Sequence, residues 1–200
     1  MLDSMSSRNP ATTHAAILDA ARELFEANGY YAVGLEAVAQ KAGVSRQAIY
    51  LHFDSKAALL EALHQRVNEH DVAPAMQRVW RCADASSALD MFVAATATAI
   101  PRFIGIFYAL EPAARLEPIA AATWEPPREG RYADCLRLAE WLDRDGMLAP
   151  GVTTRAAADV LFALVSVHQY ENLVMICGWS PRRWTAWTRR TLRAGLLAGP

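Results

Sequence analysis

Three observations predict an all-α fold for this 200-residue chain. Apolar residues recur three and four positions apart along most of its length. Hydrogen-bonding side chains stand where such stretches begin, and glycines stand where several end. No stretch alternates apolar and polar residues between turn residues as a strand or hairpin would.

The elements follow in order. Thr12 or Thr13 caps a first helix in which Ile17, Ala21, Leu24, Phe25 and Asn28 fall at helical spacing, and Gly29 ends it. Leu35, Val38, Ala39 and Ala42 give a short second helix closed by Gly43, and Ser45 caps a third running to about Phe53. Asp54 or Ser55 opens a fourth, with Leu59, Leu60, Leu63 and Val67 on its inner side, which Pro74 kinks or ends. Further helices are expected from Ser86 to Ile100, Pro101 to Leu110 and Arg131 to Arg144, the last after a proline-rich loop, Glu125 to Gly130. Thr153 or Thr154 caps a long apolar helix to Cys177, and Ser180-Pro181 opens a last one to Leu197, making roughly nine in all.

Composition narrows the function. Apolar residues make up 53% of the chain, which excludes disorder. The most apolar stretch, Ala156 to Cys177, is interrupted by Asp159, His168, Gln169, Glu171 and Asn172, so it reads as a core or interface helix rather than a membrane span. Met1 to Pro10 lacks the apolar core of a signal peptide, so a soluble cytoplasmic protein with no membrane partner is expected. Cys82, Cys135 and Cys177 are odd in number and far apart, which favours neither a disulfide framework nor a zinc ribbon. No metal and no cofactor are expected. A net charge of −1 advertises no nucleic-acid partner, so any DNA binding must rest on a local arrangement.

Residues 38–56, VAQKAGVSRQAIYLHFDSK, provide one. Two helices crossing steeply through a short turn need a small residue at their contact, a backbone at positive φ in the turn and an apolar anchor on the second helix. Ala39, Gly43 and Ile49 meet those needs in that order, with Val44 and Phe53 as added anchors, which makes a helix-turn-helix. With Ile49 inward, Gln47 and Leu51 point away from the core, flanked by Ala48 and Tyr50. That side suits a major groove: Gln47 for adenine, Arg46 for guanine, Leu51 and Ala48 for a thymine methyl. Tyr50, His52, Lys56 and the amide end of the helix at Ser45 suit phosphate.

The run Ile17-Leu18-Asp19-Ala20-Ala21-Arg22-Glu23-Leu24-Phe25 through Gly29, then Val38-Ala39, Ala42-Gly43-Val44-Ser45, Ile49-Tyr50, His52-Phe53, Ser55-Lys56 and Leu59, resembles the N-terminal domain of TetR-type transcriptional regulators over about residues 13–60. The resemblance implies a flexible N-terminal arm (1–12), a three-helix helix-turn-helix DNA-binding domain (13–58) and an effector-binding and dimerisation domain (59–200). It implies a ligand-responsive regulator, most often a repressor that binds a pseudo-palindromic DNA operator as a homodimer and is released by a small molecule. By position it carries DNA contact to Gln47, Ala48, Tyr50, Leu51, His52 and Lys56. Two departures stand out. Gly34 replaces the usual threonine that caps the second helix and touches phosphate, leaving only a backbone amide, and Leu51 replaces an aromatic residue or histidine.

In the C-terminal part, Leu161, Leu164, Val165, His168, Trp184, Trp187, Thr191 and Gly195 lie at helical spacing on the last two helices. Packed against their symmetry mates, these helices would form an isologous four-helix interface; the alternative is an internal core pair. Phe92, Phe103, Phe107, Tyr108, Trp124 and Trp141, with Thr96 and His168 as polar members, are candidates for an apolar or aromatic effector's pocket. An enzyme is the competing class. A di-iron bundle needs two Glu-x-x-His pairs, and only Glu61-Ala-Leu-His64 has that spacing. No H-E-x-x-H, G-x-S-x-G or phosphate-cradling glycine loop is present, so catalysis is not expected. A DNA-binding activator or architectural factor fits the N-terminal residues equally well.

Overall fold

A computed structural model describes residues 9–116 and 118–199, the side chains at 110, 113, 114, 118–120 and 123–127 excepted. The described residues are helical, with one isolated backbone bridge, Leu148 to Leu197, and no strand. They form two compact units. The first comprises residues 1–67 and 105–124, the second residues 68–104 and 125–200.

In the first unit, α1 (Pro10–Asn28) begins on Asn9, whose side chain accepts from the Ala11 amide, rather than on Thr12 or Thr13. Pro10 at the first helical position explains the earlier start, since its fixed φ suits the helix and its missing N–H is not needed there. The expected arm therefore loses residues 10–12 to α1, and residues 1–8 lie outside the described ones. Helices α2 (Leu35–Ala42), α3 (Arg46–His52) and α4 (Lys56–Val67) follow. Ile17, Phe25, Val38, Ile49, Leu59, Leu60 and Leu63 are all but fully buried in one cluster with them. That cluster also takes Ile106 and Ala109 from the next-but-one long helix, so the unit is discontinuous in sequence. Gly105 explains how the helix comes so close: a Cβ there would meet the Glu26 side chain at 2.8 Å.

Between α4 and α5 (Ala73–Trp80) the backbone widens into a π-turn, Asn68–Val72. Pro74 sits in the first turn of α5, where a proline costs little, and does not end α4. Two expected breaks are absent. Helix α6 runs unbroken from Ala85 to Leu116 through Pro101, and α7 from Pro118 to Arg144 through Pro126 and Pro127. An interior proline costs about 3 kcal/mol. In α6 the helix is held on both sides of it, by Phe92, Val93 and Ile100 before and by Ile106 and Ala109 after, all buried. Residues 85–109 are long and apolar enough to cross a membrane by length and composition, and about a third of that apolar stretch is buried within the protein.

The second unit departs from expectation in the opposite sense after Thr154. The single helix expected to reach Cys177 is broken: α8 (Thr154–Leu164), α9 (Val167–Tyr170) and a π-turn, Glu171–Ile176, precede α10 (Pro181–Leu196). Ser166 causes the break. Its hydroxyl donates to the Ala163 carbonyl at 2.9 Å and accepts from the Gln169 amide at 3.2 Å, ending one helix and capping the next. Trp184 of α10 is fully buried, its ring 5.3 Å from Tyr170 and its indole N–H donated to Gln169. Arg189 and Arg193 tie α10 to α6 through Asp90, at 2.8 Å to its carbonyl and 3.0 Å to its carboxylate. The end of α10 is fixed to the α7–α8 turn by Ala149 N–H to Leu196 at 2.8 Å and Ala198 N–H to Met147 at 2.9 Å.

Candidate nucleic-acid interface

The turn between α2 and α3 forms as its residues require. Gly43 takes the left-handed conformation, φ 66° and ψ 39°, which costs a residue with a Cβ more than it costs glycine. The Val44 amide then donates back to Ala39 at 3.0 Å. Ser45 caps α3, its hydroxyl accepting from the Ala48 amide at 3.1 Å. Ile49 is fully buried beneath, and Phe53 closes the helix by donating its amide to Ile49 at 2.8 Å.

That anchoring leaves Ser45, Arg46, Gln47, Tyr50 and Leu51 exposed, with Ala48 and His52 half-buried at the sides. Leu51 is 79% exposed and Tyr50 46%. Two large apolar side chains held in water on one short helix mark a contact surface, since nothing in the unit's own core requires them there. Arg46 is turned along the helix, its guanidinium 3.5 Å from the Tyr50 hydroxyl and 3.8 Å from Glu36, so it must swing out to reach a base. Lys56 begins α4 with its ammonium 4.0 Å from the centre of the Tyr30 ring, a cation–π contact. Gly34 caps α2 with no side-chain bond, and a Cβ there would meet nothing within 4 Å.

Two neighbours were not singled out by the sequence. Tyr31 is 48% exposed beside Tyr30, their rings 5.6 Å apart. His14 of α1 lies 5.9 Å from the His52 ring and 4.8 Å from Phe53. Burial, then the positive neighbours His52 and Arg66, hold the His14 imidazole below its ordinary pKa. The repeated tyrosine and an early histidine are visible in the sequence, but only the fold brings His14 of α1 against the end of α3.

Residues 17–63 match the family model described as bacterial regulatory proteins, tetR family. Over those residues the chain is similar to the TetR-family DNA-binding domain. The regulator UidR of Escherichia coli K12 is 34% identical to the chain over 73 residues, which are 36% of this chain and 37% of UidR. The chain thus matches little more than a third of the length of that relative. Over the whole fold it is similar to NalD of Pseudomonas aeruginosa, the secondary repressor of the MexAB-OprM multidrug efflux pump, with TM-score 0.77 at 23% identity, covering 95% of this chain and 98% of NalD. It is also similar to the regulator FadR of Bacillus subtilis in complex with stearoyl-CoA, with TM-score 0.77 at 18% identity, covering 90% of this chain and 98% of FadR. All three are transcriptional regulators and none is an enzyme.

The residues expected around an effector divide between the units. Phe107 and Tyr108 belong to the TetR-type unit, their rings edge to face at 5.6 Å, as does the backbone of Trp124, whose side chain lies outside the described ones. Phe92, Thr96, Phe103, Trp141 and His168 belong to the second unit. There Phe92 is buried, Thr96 donates to the Phe92 carbonyl at 2.9 Å, Phe103 and Trp141 are half-buried and His168 is exposed. Among the residues expected to face a symmetry mate, Leu161, Val165 and Trp184 are buried within the chain itself, Leu164, Trp187 and Thr191 are half-buried, and Gly195 is exposed. Leu161, Val165 and Trp184 therefore fit the internal core pair, because a side chain with no exposed surface has none left to bury on association.

Proposed function

We propose that the protein is a cytoplasmic, ligand-responsive transcriptional regulator that reads a pseudo-palindromic DNA operator as a homodimer through α3. The outward face of α3 carries this reading: Gln47 and Leu51 stand clear of the core beside the aromatic-seated Lys56, which pairs base-reading groups with a phosphate-binding cation. Gln47 offers the amide fork that suits adenine, and Leu51 the apolar surface that suits a thymine methyl. The second unit serves as the ligand-binding and dimerising part, a role supported by its likeness in fold to a regulator crystallised with stearoyl-CoA. Repression with release by a small apolar or aromatic effector is the mode proposed, and the likeness in fold to NalD, a repressor, supports the repressing part of it.

The proposed dimer surface shifts from the buried residues to their exposed neighbours. Ala156, Val160 and Ala163 form one stripe on α8, and Ala186, Arg190 and Ala194 a second on α10, all at helical spacing and all exposed. Ala156, Ala163, Ala186 and Ala194 are small enough to let helices approach closely, and the exposed Val160 gives the first stripe an apolar centre. Selection from random duplexes tests DNA reading: enrichment of an inverted repeat is expected, and recovery of no preferred sequence would overturn it. Light scattering of Val160→Glu tests the surface. Loss of the dimer is expected, while an unchanged dimer would move the interface elsewhere.

A further inference from the structure

Arg131, on α7 in the second unit, has an unusual setting for a guanidinium. It is half-buried, with its carbon 3.6 Å from the centre of the Phe162 ring. One terminal nitrogen, Nη1, donates to the carbonyls of Phe162 at 2.9 Å and Val165 at 3.2 Å. Those carbonyls lie at the C-terminal end of α8, where the helix leaves acceptors unsatisfied and a cation is favoured. Among the described residues no carboxylate pairs with it. Asp159 on the facing α8 is already held by Arg155 at 3.4 Å and by the Tyr132 hydroxyl at 2.8 Å. Asp134, one turn along α7, has Arg137 for its electrostatic relief. Loss of solvent accordingly lowers the guanidinium's pKa, with only the Cys135 thiol opposing.

Capping α8 explains Nη1 and no more. The other edge of the fork, Nε and Nη2, carries the donors that bind a carboxylate side-on through two parallel bonds, and those donors have no acceptor among the described residues. Nor are they sealed off, because the fully buried side-chain atoms without partners are the Tyr108 hydroxyl, Gln169 Nε2 and the Thr188 hydroxyl, with none from Arg131. The remaining edge therefore keeps some exposed surface, is oriented by the ring beneath and the two carbonyls, and carries a charge that no carboxylate among the described residues neutralises. A single guanidinium balances a single negative charge, which matches a monocarboxylate better than a phosphate dianion. The half-buried Phe162 beside it suits an apolar body.

We propose that Arg131 is an anion-binding residue and that its Nε–Nη2 edge holds the carboxylate of a small acid with an apolar body. This gives a ligand class to the effector role proposed above and rests on it. The test is calorimetric titration of the full-length protein with octanoate and benzoate, each against its alcohol, octanol and benzyl alcohol. At least one acid is expected to bind tenfold or more tightly than its alcohol. In Arg131→Gln that preference should vanish, and in Arg131→Lys, which keeps the charge but loses the fork, it should fall without disappearing. Equal binding of acid and alcohol by the wild-type protein, no binding of either acid, or a preference that survives in Arg131→Gln would each overturn the proposal, and the first two need no variant to fold. Operator release separates the two readings. An acid that binds through Arg131 and leaves the operator bound keeps the site and removes the effector role; an alcohol that releases the operator with no preference for acids does the reverse.

Discussion

Lys56 separates positioning from charge in DNA binding. Its ammonium rests 4.0 Å above the Tyr30 ring, and Tyr30 is itself packed against Phe25 with ring centres 5.7 Å apart, so the cation is held at the start of α4 before DNA arrives. If Lys56 meets one phosphate per protomer as proposed, Lys56→Ala should lower the salt slope by about 0.9, or about 1.8 for a dimer. Between about 50 and 200 mM salt, wild-type affinity should then fall about twelvefold further than that of the variant. Tyr30→Leu keeps the charge and removes the seat. A cation–π contact at a partly exposed site is worth about 0.5–1 kcal/mol, so affinity should drop by about two- to fivefold per half-site with the salt slope unchanged. Fluorescence anisotropy on the selected operator and on a scrambled duplex, at several salt concentrations, measures both quantities. A Lys56→Ala slope equal to that of the wild type would refute the phosphate assignment, and a changed slope for Tyr30→Leu would show that the ring does more than hold the ammonium.

Three further expectations concern α3 and the core. Gln47→Ala should cost about 1–3 kcal/mol per half-site on the preferred operator and relax discrimination at one symmetric pair of positions, with little effect on the salt slope; equal losses on random DNA would show that Gln47 does not read bases. Ser45→Ala should destabilise the TetR-type unit by about 1 kcal/mol through loss of the α3 cap, visible in the denaturant midpoint, whereas no shift would mean that water replaces the hydroxyl. Burial pushes the Cys135 thiol up to about 12 from an ordinary value of 9.0. The unfolded thiol ionises first, so its contribution to stability is fully present below about pH 9 and lost as pH rises toward the folded value. At pH 8 a thiol reagent should therefore react with exposed Cys177 and spare Cys135 until the protein unfolds; fast labelling of all three cysteines would refute that burial.

The helix-turn-helix was legible because its determinants are local. Gly43, Ser45 and Ile49 each specify a backbone angle, a cap or an anchor within a few positions, and the structure realises each of them. The boundaries of α6 and α7 were not legible, since proline signals a break locally while burial on either side of Pro101 is decided by residues far apart in sequence. Ser166 failed in the other direction. A serine within an apolar run reads as a tolerated helix residue until its hydroxyl is seen bonding both sides of a break. The buried state of Leu161, Val165 and Trp184 was equally out of reach, because helical spacing shows that a stripe is apolar and not which partner covers it.

The TetR-type unit draws part of its core from residues that follow it by some forty positions, and this limits how such a protein can be reassembled by recombination. A gene segment ending at Val67 encodes every side chain expected to touch DNA, yet lacks Ile106 and Ala109, which share a buried cluster with Phe25, Ile49 and Leu60. Grafted alone onto a foreign ligand-binding part, it would meet whatever helix that recipient supplies at this position. At Gly105 any side chain would have to displace the flexible, exposed Glu26 side chain, so a recipient with a small residue there and apolar ones just after it fits with the least adjustment. The inheritance unit for changing operator preference is accordingly smaller than the folding unit: exchanging only the exposed Arg46, Gln47, Tyr50 and Leu51 keeps Ile49 and Phe53 in the shared core, and a new reading face arrives without a new partner for α6.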